Sequence, residues 1–93
     1  MTLARYEITF TGRVQGVFFR ATTCEVAEGF AVTGWVRNER DGSVRCVVEG
    51  ERDELDAFVK AVQKAKSGYI EDTLITPAPA EGEFERFETR YDG

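Results

Sequence analysis

A nine-residue run near the start of the chain, residues 12–20, combines two glycines with two arginines in a pattern suited to anion binding; it reads GRVQGVFFR. The pattern predicts a strand that ends in a glycine-punctuated loop and leads into a helix near Arg20. Backbone N–H groups of such a loop and helix N-terminus attract an anion, and Gly16 carries no side chain to block it. Arg20 adds a planar, permanently charged group that matches two phosphate oxygens. These residues predict a seat for a small phosphorylated molecule.

Simpler interpretations of the same run remain open. A lone glycine-rich loop is a weak signal, and Gly12 and Gly16 could serve only as turn residues. The loop is not a nucleotide-binding P-loop, because Gly16 is followed by Val17 and Phe18 rather than by lysine and a hydroxyl residue. An arginine at a helix start is unusual, since the positive end of the helix dipole disfavours a cation. A bound anion would relieve that cost.

Asn38 is the second candidate site residue. It lies in a predicted turn over residues 38–42, where asparagine is common simply because it tolerates a left-handed conformation. The predicted topology brings the ends of the first two strands to one edge of the sheet, so Asn38 could approach the loop. An uncharged amide beside a phosphate can hold a water molecule without repelling either. The neighbouring Glu39 is expected to point to solvent, because its charge would weaken anion binding.

Charge and composition exclude several classes of protein. The net charge is −5 and there is no histidine, which argues against general nucleic-acid binding and removes the usual general base and metal ligand. Residues 1–40 carry five arginines and four glutamates, whereas residues 41–93 carry seven basic and thirteen acidic residues. The anion seat therefore lies in the half that is not acidic. No apolar run suits a signal peptide or a membrane span, so we expect a cytoplasmic protein with no membrane partner.

The two cysteines, Cys24 and Cys46, do not have metal-ligand spacing, and free thiols in or near the core are the favoured interpretation. Sequence alone leaves a disulfide between them open. Cys46 and Arg52 have the Cys-x5-Arg spacing of cysteine-dependent phosphatases. We reject that interpretation, because Cys46 falls within a predicted strand and a reactive thiolate needs an electropositive setting, not the acidic residues of this segment.

Hydrophobic periodicity predicts the elements that must position these residues. Alternating apolar residues and one i, i+3, i+4, i+7 pattern indicate five strands and two helices in one small domain, residues 1–93. The predicted elements are a strand from Tyr6 to about Val14, a helix over Ala21–Glu28, strands at Val32–Arg37 and Val44–Val48, a helix with Leu55, Phe58, Val59 and Val62 on its apolar face, and strands at Tyr69–Thr76 and Phe84–Tyr91.

This order predicts an α+β, ferredoxin-like two-layer sandwich. The order is β-α-β-β-α-β plus a C-terminal strand, with two helices on one face of an antiparallel sheet. Residues Pro77 to Pro79 are expected to end the fourth strand, and Phe87 to contact the core. One of Phe18 and Phe19 is expected to anchor the loop, Trp35 to belong to the core, and the acidic stretch 81–88 to be solvated.

Two motifs in the right order give the chain a specific resemblance. The run at residues 12–20, followed by TGWVRN at residues 33–38 and by Asp41 and Gly42, closely resembles the acylphosphatase family, over nearly the whole chain from Tyr6 to about Tyr91. The resemblance implies an enzyme that hydrolyses acyl phosphates to a carboxylate and inorganic phosphate. It implies that Arg20 binds the substrate and that Asn38 orients the attacking water.

The resemblance also implies that the phosphate-binding loop comprises Gln15, Gly16, Val17, Phe18 and Phe19, which hold the phosphate through backbone amides. It implies no metal, no cofactor and no phosphoenzyme. We expect a monomer whose partners are a small acyl phosphate and inorganic phosphate or another small anion, with no nucleic acid. A non-catalytic module of the same fold that binds a small anion such as carbamoyl phosphate is the alternative. An RNA-binding domain of related topology is disfavoured, since the third strand lacks paired exposed aromatics and the chain is acidic.

Overall fold

A computed structural model describes residues 3–91, which form five strands and two helices. The elements, in chain order, are β1 (Leu3–Gly12), α1 (Phe19–Ala27), β2 (Val32–Asn38), β3 (Val44–Glu51), α2 (Arg52–Ala65), β4 (Ile70–Pro79) and β5 (Phe87–Arg90). The strand order in the sheet is β4-β1-β3-β2-β5. The ferredoxin-like α+β prediction is confirmed.

Three of the four strand pairings explain how the sheet positions the loop and the turn. β3 pairs antiparallel with both β1 and β2, which therefore run in the same direction and end at the same edge of the sheet. β5 pairs with β2 in parallel, so the complete sheet is mixed rather than wholly antiparallel as the sequence predicted. This parallel pairing brings the end of β5 beside the end of β2, where Asn38 lies.

The alternation of side chains divides the sheet into two faces. On the helix face, Tyr6, Ile8 and Phe10 of β1 join the buried core with residues of both helices, among them Leu55, Phe58, Val59 and Val62 of α2. Phe87 packs against this core, as predicted, with its ring 5.5 Å from that of Phe58. The opposite face, here called the open face, carries charged side chains from each central strand.

Trp35 is buried as predicted, but it lies on the open face rather than under the helices. The guanidinium groups of Arg37 and Arg90 cover its ring at 4.8 and 5.2 Å from the centroid. The indole is therefore shielded from water by the apolar and planar parts of two arginines.

The prediction that the fourth strand stops at Thr76 is wrong, because β4 includes Pro77 and ends at Pro79. β4 is an edge strand that pairs only with β1. Pro77 and Pro79 are two residues apart, so both nitrogens face the same side of the strand. A proline is tolerated on an edge strand where no N–H is needed for the ladder.

The stretch from Glu81 to Glu88 is not simply a solvated surface. Glu49 of β3, 5% exposed, accepts hydrogen bonds from the backbone N–H groups of Glu81 and Gly82 at 2.8 and 2.9 Å. Glu81 and Glu83 in turn bind the buried guanidinium of Arg5 at 2.6 and 2.9 Å. These contacts hold the loop against the open face, so β5 begins at Phe87 instead of at residue 84.

Candidate active site

A cleft of about 340 Å³ opens at the edge of the sheet where β1 and β2 end and α1 begins. It lies at the position where the sequence predicts an anion-binding site. Its walls come from the loop after β1, the first turn of α1, the end of β2 and the residues at the end of β5. The lining residues are Val14, Gly16, Phe18, Phe19, Arg20, Ala21, Asn38, Thr89 and Tyr91.

Two glycines determine the course of the loop. Gly12 has φ +127°, and a Cβ atom there would lie 2.4 Å from the carbonyl oxygen of Tyr69, so only glycine fits between the strands. Gly16 has φ +73° and faces open space: apart from its own atoms and its two chain neighbours, no atom of residues 3–91 lies within 4 Å of where its Cβ would be. Glycine at this position gives the left-handed turn at little cost and leaves the cleft open.

The two phenylalanines of the loop have opposite environments. Phe19 is 2% exposed, and its ring lies 5.2 Å from that of Phe10, so it anchors the loop in the core as predicted for one of the pair. Phe18 is the N-cap of α1 and is the only non-glycine residue with positive φ, +59°, in the range 3–91. Its ring is 83% exposed on the rim of the cleft.

The backbone N–H groups at the start of α1 are available to a ligand. The first intrahelical bond runs from the N–H of Thr22 to the carbonyl of Phe18 at 2.9 Å. Within residues 3–91, no acceptor pairs with the N–H groups of Gly16 to Arg20. Unpaired amides at a helix N-terminus, together with the helix dipole, favour an anion.

Arg20 lies in the first turn of α1, beside these amides. No carboxylate among residues 3–91 forms an ion pair with its guanidinium. The guanidinium is instead positioned over the ring of Tyr91, 5.0 Å from the centroid. A cation stacked on an aromatic face keeps its N–H edges directed sideways, where they can bind phosphate oxygens.

Asn38, the last residue of β2, faces the same cleft. Its Oδ1 is buried and has no hydrogen-bond partner within the described range. A buried amide oxygen without a partner is costly, so its presence beside Arg20 points to an acceptor for a ligand or water hydrogen.

Gln15 connects the loop to the β2–β3 turn. Its Nε2 donates to the carbonyl oxygens of Glu39 and Ser43 at 2.7 and 2.9 Å. The Glu39 carboxylate accepts two hydrogen bonds from Arg37, both 3.1 Å, on the open face of the sheet. The expectation that Glu39 points to solvent is wrong, because its carboxylate is paired with Arg37 and its side chain is only 27% exposed.

The same turn is stabilised from within. The hydroxyl and the N–H of Ser43 donate to the Asp41 carboxylate at 2.6 and 2.9 Å. These hydrogen bonds, that of the hydroxyl first, lower the pKa of Asp41. Gln15 and the turn together place the loop and Asn38 at a defined separation.

The structure brings most of the predicted site residues into one cleft. Gly16, Phe18, Phe19, Arg20 and Asn38 line it, whereas Gln15 and Val17 do not. Gln15 instead ties the loop to the β2–β3 turn through its two hydrogen bonds to backbone carbonyls. The Val17 carbonyl accepts a hydrogen bond from the Lys66 ammonium group.

Thr89 and Tyr91 were not predicted as site residues, although both line the cleft. No local motif marks either residue. The parallel pairing of β5 with β2 is what brings them beside Asn38, and that pairing could have been considered from the topology alone.

The cysteines take no part in the cleft lining. Both are free thiols, and Cys46 is fully buried in β3. Burial raises the pKa of the Cys46 thiol far above its usual range, with a smaller contribution from Cys24, so it stays protonated. The rejection of the Cys-x5-Arg phosphatase interpretation is confirmed.

Two further features of the described residues bear on cofactors and membranes. Across residues 3–91, histidine, cysteine, aspartate and glutamate side chains form no group of three arranged to hold a metal ion. Neither α1 nor α2, the helices of that range, is long and apolar enough to cross a bilayer.

Comparisons with known proteins show the family to which the chain belongs. The family model described as acylphosphatase matches residues 6–89. An acylphosphatase of Salinibacter ruber is 42% identical over 90 residues, covering 96% of this chain and 95% of its own length. The crystal structure of acylphosphatase from Bacillus subtilis superposes with a TM-score of 0.87 at 34% identity, covering 95% of this chain and 99% of its own.

The chain thus combines a ferredoxin-like sandwich with a cleft at one edge of the sheet, and it belongs to the acylphosphatase family. It is an enzyme that hydrolyses acyl phosphates. A similar domain also exists within a larger protein. The crystal structure of HypF from T. kodakarensis matches 94% of this chain at 29% identity with a TM-score of 0.80, although only 12% of that protein is covered.

Proposed function

We propose that Arg20, the backbone amides of residues 15–19 and Asn38 together carry out the hydrolysis of acyl phosphates in this chain. The observation that supports this most directly is the convergence of two groups on one cleft. The Arg20 guanidinium has no carboxylate partner within residues 3–91, and the buried Asn38 Oδ1 has no hydrogen-bond partner there. One group suits a phosphate oxygen and the other suits a water hydrogen.

Arg20 and the amides bind and neutralise the phosphoryl group. Phosphoryl transfer passes through a loose transition state in which charge is spread over the equatorial oxygens. Fixed N–H donors that face those oxygens stabilise the transition state without reorganisation, and each such donor is worth about 3 kcal/mol. The positive end of the α1 dipole acts in the same direction.

Asn38 orients the nucleophile. Its Oδ1 accepts a hydrogen from a water molecule and holds the water oxygen in line with the bond that breaks. The water oxygen forms a bond to phosphorus, the bond between phosphorus and the acyl oxygen breaks, and the carboxylate leaves with the electron pair. Because an amide is not a base, the water proton ends on the phosphate or on the departing carboxylate.

The reaction needs no metal in this proposal. An acyl phosphate is already activated by its good leaving group, so positioning and charge neutralisation are sufficient. The polar groups of the cleft are one guanidinium, backbone N–H groups, one side-chain amide and the hydroxyls of Thr89 and Tyr91. This set suits phosphate oxygens directly and offers a divalent cation no carboxylate or imidazole.

We also propose that residues 1–93 act as one domain, as a cytoplasmic monomer whose ligands are an acyl phosphate and inorganic phosphate. The net charge of −5 supports the absence of a nucleic-acid partner, because phosphate backbones need a basic face. A single species of monomer mass in light scattering at assay concentration supports the monomer, and a dimer contradicts it.

The experiment is hydrolysis of benzoyl phosphate by the purified protein in excess chelator, beside Arg20→Ala and Arg20→Lys. Rapid hydrolysis by the wild type, and its loss in Arg20→Ala, is the expected result. Lys restores the charge but not the two-pronged geometry, so Arg20→Lys should recover only part of the rate. Arg86→Ala is the matched control, because Arg86 is 81% exposed in the loop before β5.

Each alternative gives a distinct result. Hydrolysis that stops on chelation and returns with a divalent cation contradicts the metal-free mechanism. A folded wild-type protein that binds phosphate but hydrolyses nothing is a binding module, not an enzyme. Full activity in Arg20→Ala removes Arg20 from the phosphate seat.

A further inference from the structure

Two exposed aromatic rings stand on the rim of the cleft. Phe18 is 83% exposed and Tyr91 is 75% exposed, the two highest values among the large hydrophobic residues at positions 3–91. Both line the cleft that also contains Arg20 and Asn38. Single exposed apolar side chains are common, but two large rings beside one polar seat form an apolar rim that suits a ligand.

The backbone of Phe18 has an unfavourable, left-handed conformation. A left-handed backbone is strained for a non-glycine residue, and glycine or asparagine would take φ +59° more easily. Exposure of the ring gives no compensating burial, and Phe19 already anchors the loop in the core. Folding therefore explains a turn at this position but not a phenylalanine there.

The cleft is larger than the phosphoryl group. Its volume of about 340 Å³ is many times the roughly 10–15 Å³ that one bound water needs. A phosphoryl group on Arg20 and the amides occupies only part of that space. The residues that bound the remaining space include Val14, Ala21 and the two aromatic rings on the rim.

We propose that Phe18 and Tyr91 bind the acyl group of the substrate, and that the enzyme prefers acyl phosphates with a planar, aromatic acyl group over those with a short aliphatic one. This inference rests on the proposed function, because it takes the phosphate seat at Arg20 as given. The aromatic acyl ring packs against Phe18 on one side of the cleft and lies near Tyr91 on the other. Aromatic rings prefer such offset or edge contacts.

The charge of the cleft lining further restricts which acyl groups the cleft accepts. Arg20 is the single charged residue in the lining, which contains no aspartate or glutamate. An acyl group that carries an ammonium group therefore finds no counter-charge and meets the positive guanidinium. The preferred substrates are uncharged aroyl phosphates rather than aminoacyl phosphates.

The experiment compares kcat/KM for benzoyl phosphate and acetyl phosphate in the wild type and in Phe18→Gly. Glycine suits the left-handed backbone at this position, so the substitution removes the ring without straining the loop. Both substrates share the phosphate seat, and any change in that seat cancels in the ratio of their kcat/KM values. We expect the benzoyl-to-acetyl ratio to fall about five- to tenfold, the value of one aromatic contact, mainly through a higher KM for benzoyl phosphate.

Three further variants test whether the change in the benzoyl-to-acetyl ratio comes from the aromatic rings of the cleft. Phe18→Leu keeps an apolar side chain without a flat ring and should give an intermediate ratio. Tyr91→Leu should lower the ratio as well. Leu74→Ala removes an apolar side chain that is 66% exposed on β4, away from the cleft, and should leave the ratio unchanged.

The outcomes distinguish this inference from the proposed function. An unchanged ratio in Phe18→Gly and Tyr91→Leu, with both substrates still hydrolysed, overturns the acyl-binding role and leaves the proposed function standing. A wild type that prefers acetyl phosphate overturns the stated preference. A wild type that hydrolyses neither substrate overturns the proposed function and this inference together. If Phe18→Gly does not fold, judged by circular dichroism, the Phe18→Leu and Tyr91→Leu ratios decide.

Discussion

The guanidinium of Arg20 lies over the ring of Tyr91, 5.0 Å from its centroid. Seventy-one positions separate the two residues in the chain, and the parallel pairing of β5 with β2 brings them together. Stacking orients the guanidinium plane without using its N–H groups. We therefore expect Tyr91 to position Arg20 for the proposed phosphate ligand, in addition to its place on the rim.

Replacing Tyr91 should weaken phosphate binding in a way that depends on the ring. Tyr91→Leu should raise the inhibition constant of inorganic phosphate about two- to fivefold, because an exposed cation–π contact is worth about 0.5–1 kcal/mol. Tyr91→Phe keeps the ring and should stay near the wild-type value. Competitive inhibition by phosphate measures both. If Phe and Leu weaken binding equally, the hydroxyl rather than the ring is responsible and the stacking role is wrong.

Asn38 should affect turnover more than phosphate binding. Asn38→Ala removes the buried, unpartnered oxygen proposed to hold the attacking water, so kcat should fall about a hundredfold, the cost of a mispositioned reactant. Inhibition by phosphate should remain close to that of the wild type. Asn38→Asp keeps the shape but adds a charge that repels phosphate, so it should impair both. Wild-type kcat in Asn38→Ala would remove the water-orienting role.

Much of the fold was predictable because it follows from local periodicity. Alternation in Tyr6, Ile8 and Phe10 identified the buried face of β1, and the spacing of Leu55, Phe58, Val59 and Val62 identified the apolar face of α2. The loop before Arg20 was also predictable, because glycine residues and a helix start mark it directly in the sequence. These signals involve residues a few positions apart, where the geometry of the backbone is fixed.

The features of the fold and the cleft that were not predicted depend on contacts between residues far apart in the chain. Pro77 remains in β4 because that strand lies at the edge of the sheet, which only the complete strand order reveals. The loop after β4 follows the open face because Glu49 binds its backbone. Tyr91 reaches Arg20 through the β2–β5 pairing, and Gln15 reaches the carbonyl of Ser43 across 28 positions. None of these partners is marked by a local pattern.

Gln15 should act through the loop that it supports. Gln15→Ala removes two hydrogen bonds to backbone carbonyls, each worth about 1 kcal/mol, and kcat/KM should fall about tenfold as the amides lose their fixed position. Gln15→Glu has the same shape but presents a carboxylate to both carbonyls at neutral pH. It should be more impaired than Gln15→Ala.

The pH dependence of Gln15→Glu distinguishes a positioning role from a general structural one. When the carboxyl is protonated it has one O–H donor, so one of the two lost bonds can form again. The activity of Gln15→Glu relative to wild type should therefore rise as pH falls through the pKa of the new carboxyl, whereas Gln15→Ala should keep a constant ratio. Parallel pH–rate profiles for both variants would contradict the role of Nε2 as a donor.

Glu49 should be the acidic residue on the open face that contributes most to stability. It is 5% exposed, pairs with the Arg5 Nε at 3.2 Å and accepts two backbone hydrogen bonds from the loop after β4. Glu49→Ala leaves the buried Arg5 guanidinium paired only with the more exposed Glu81 and Glu83. It also leaves the backbone N–H groups of Glu81 and Gly82 without their acceptor. The free energy of unfolding should fall by about 3 kcal/mol, as when one partner of a buried pair is removed.

The control for Glu49 is Glu7→Ala on the same face. Glu7 pairs with Arg45 at 3.2 Å, but both side chains are about one-third exposed, at 34% and 36%. Solvent screening limits such a pair to less than about 1 kcal/mol. Urea unfolding of both variants at neutral pH measures the difference. Glu49 is not part of the cleft lining, so Glu49→Ala should stay active at low temperature while its unfolding midpoint falls. Equal losses of stability in Glu49→Ala and Glu7→Ala would show that burial of the Arg5–Glu49 pair adds nothing to stability.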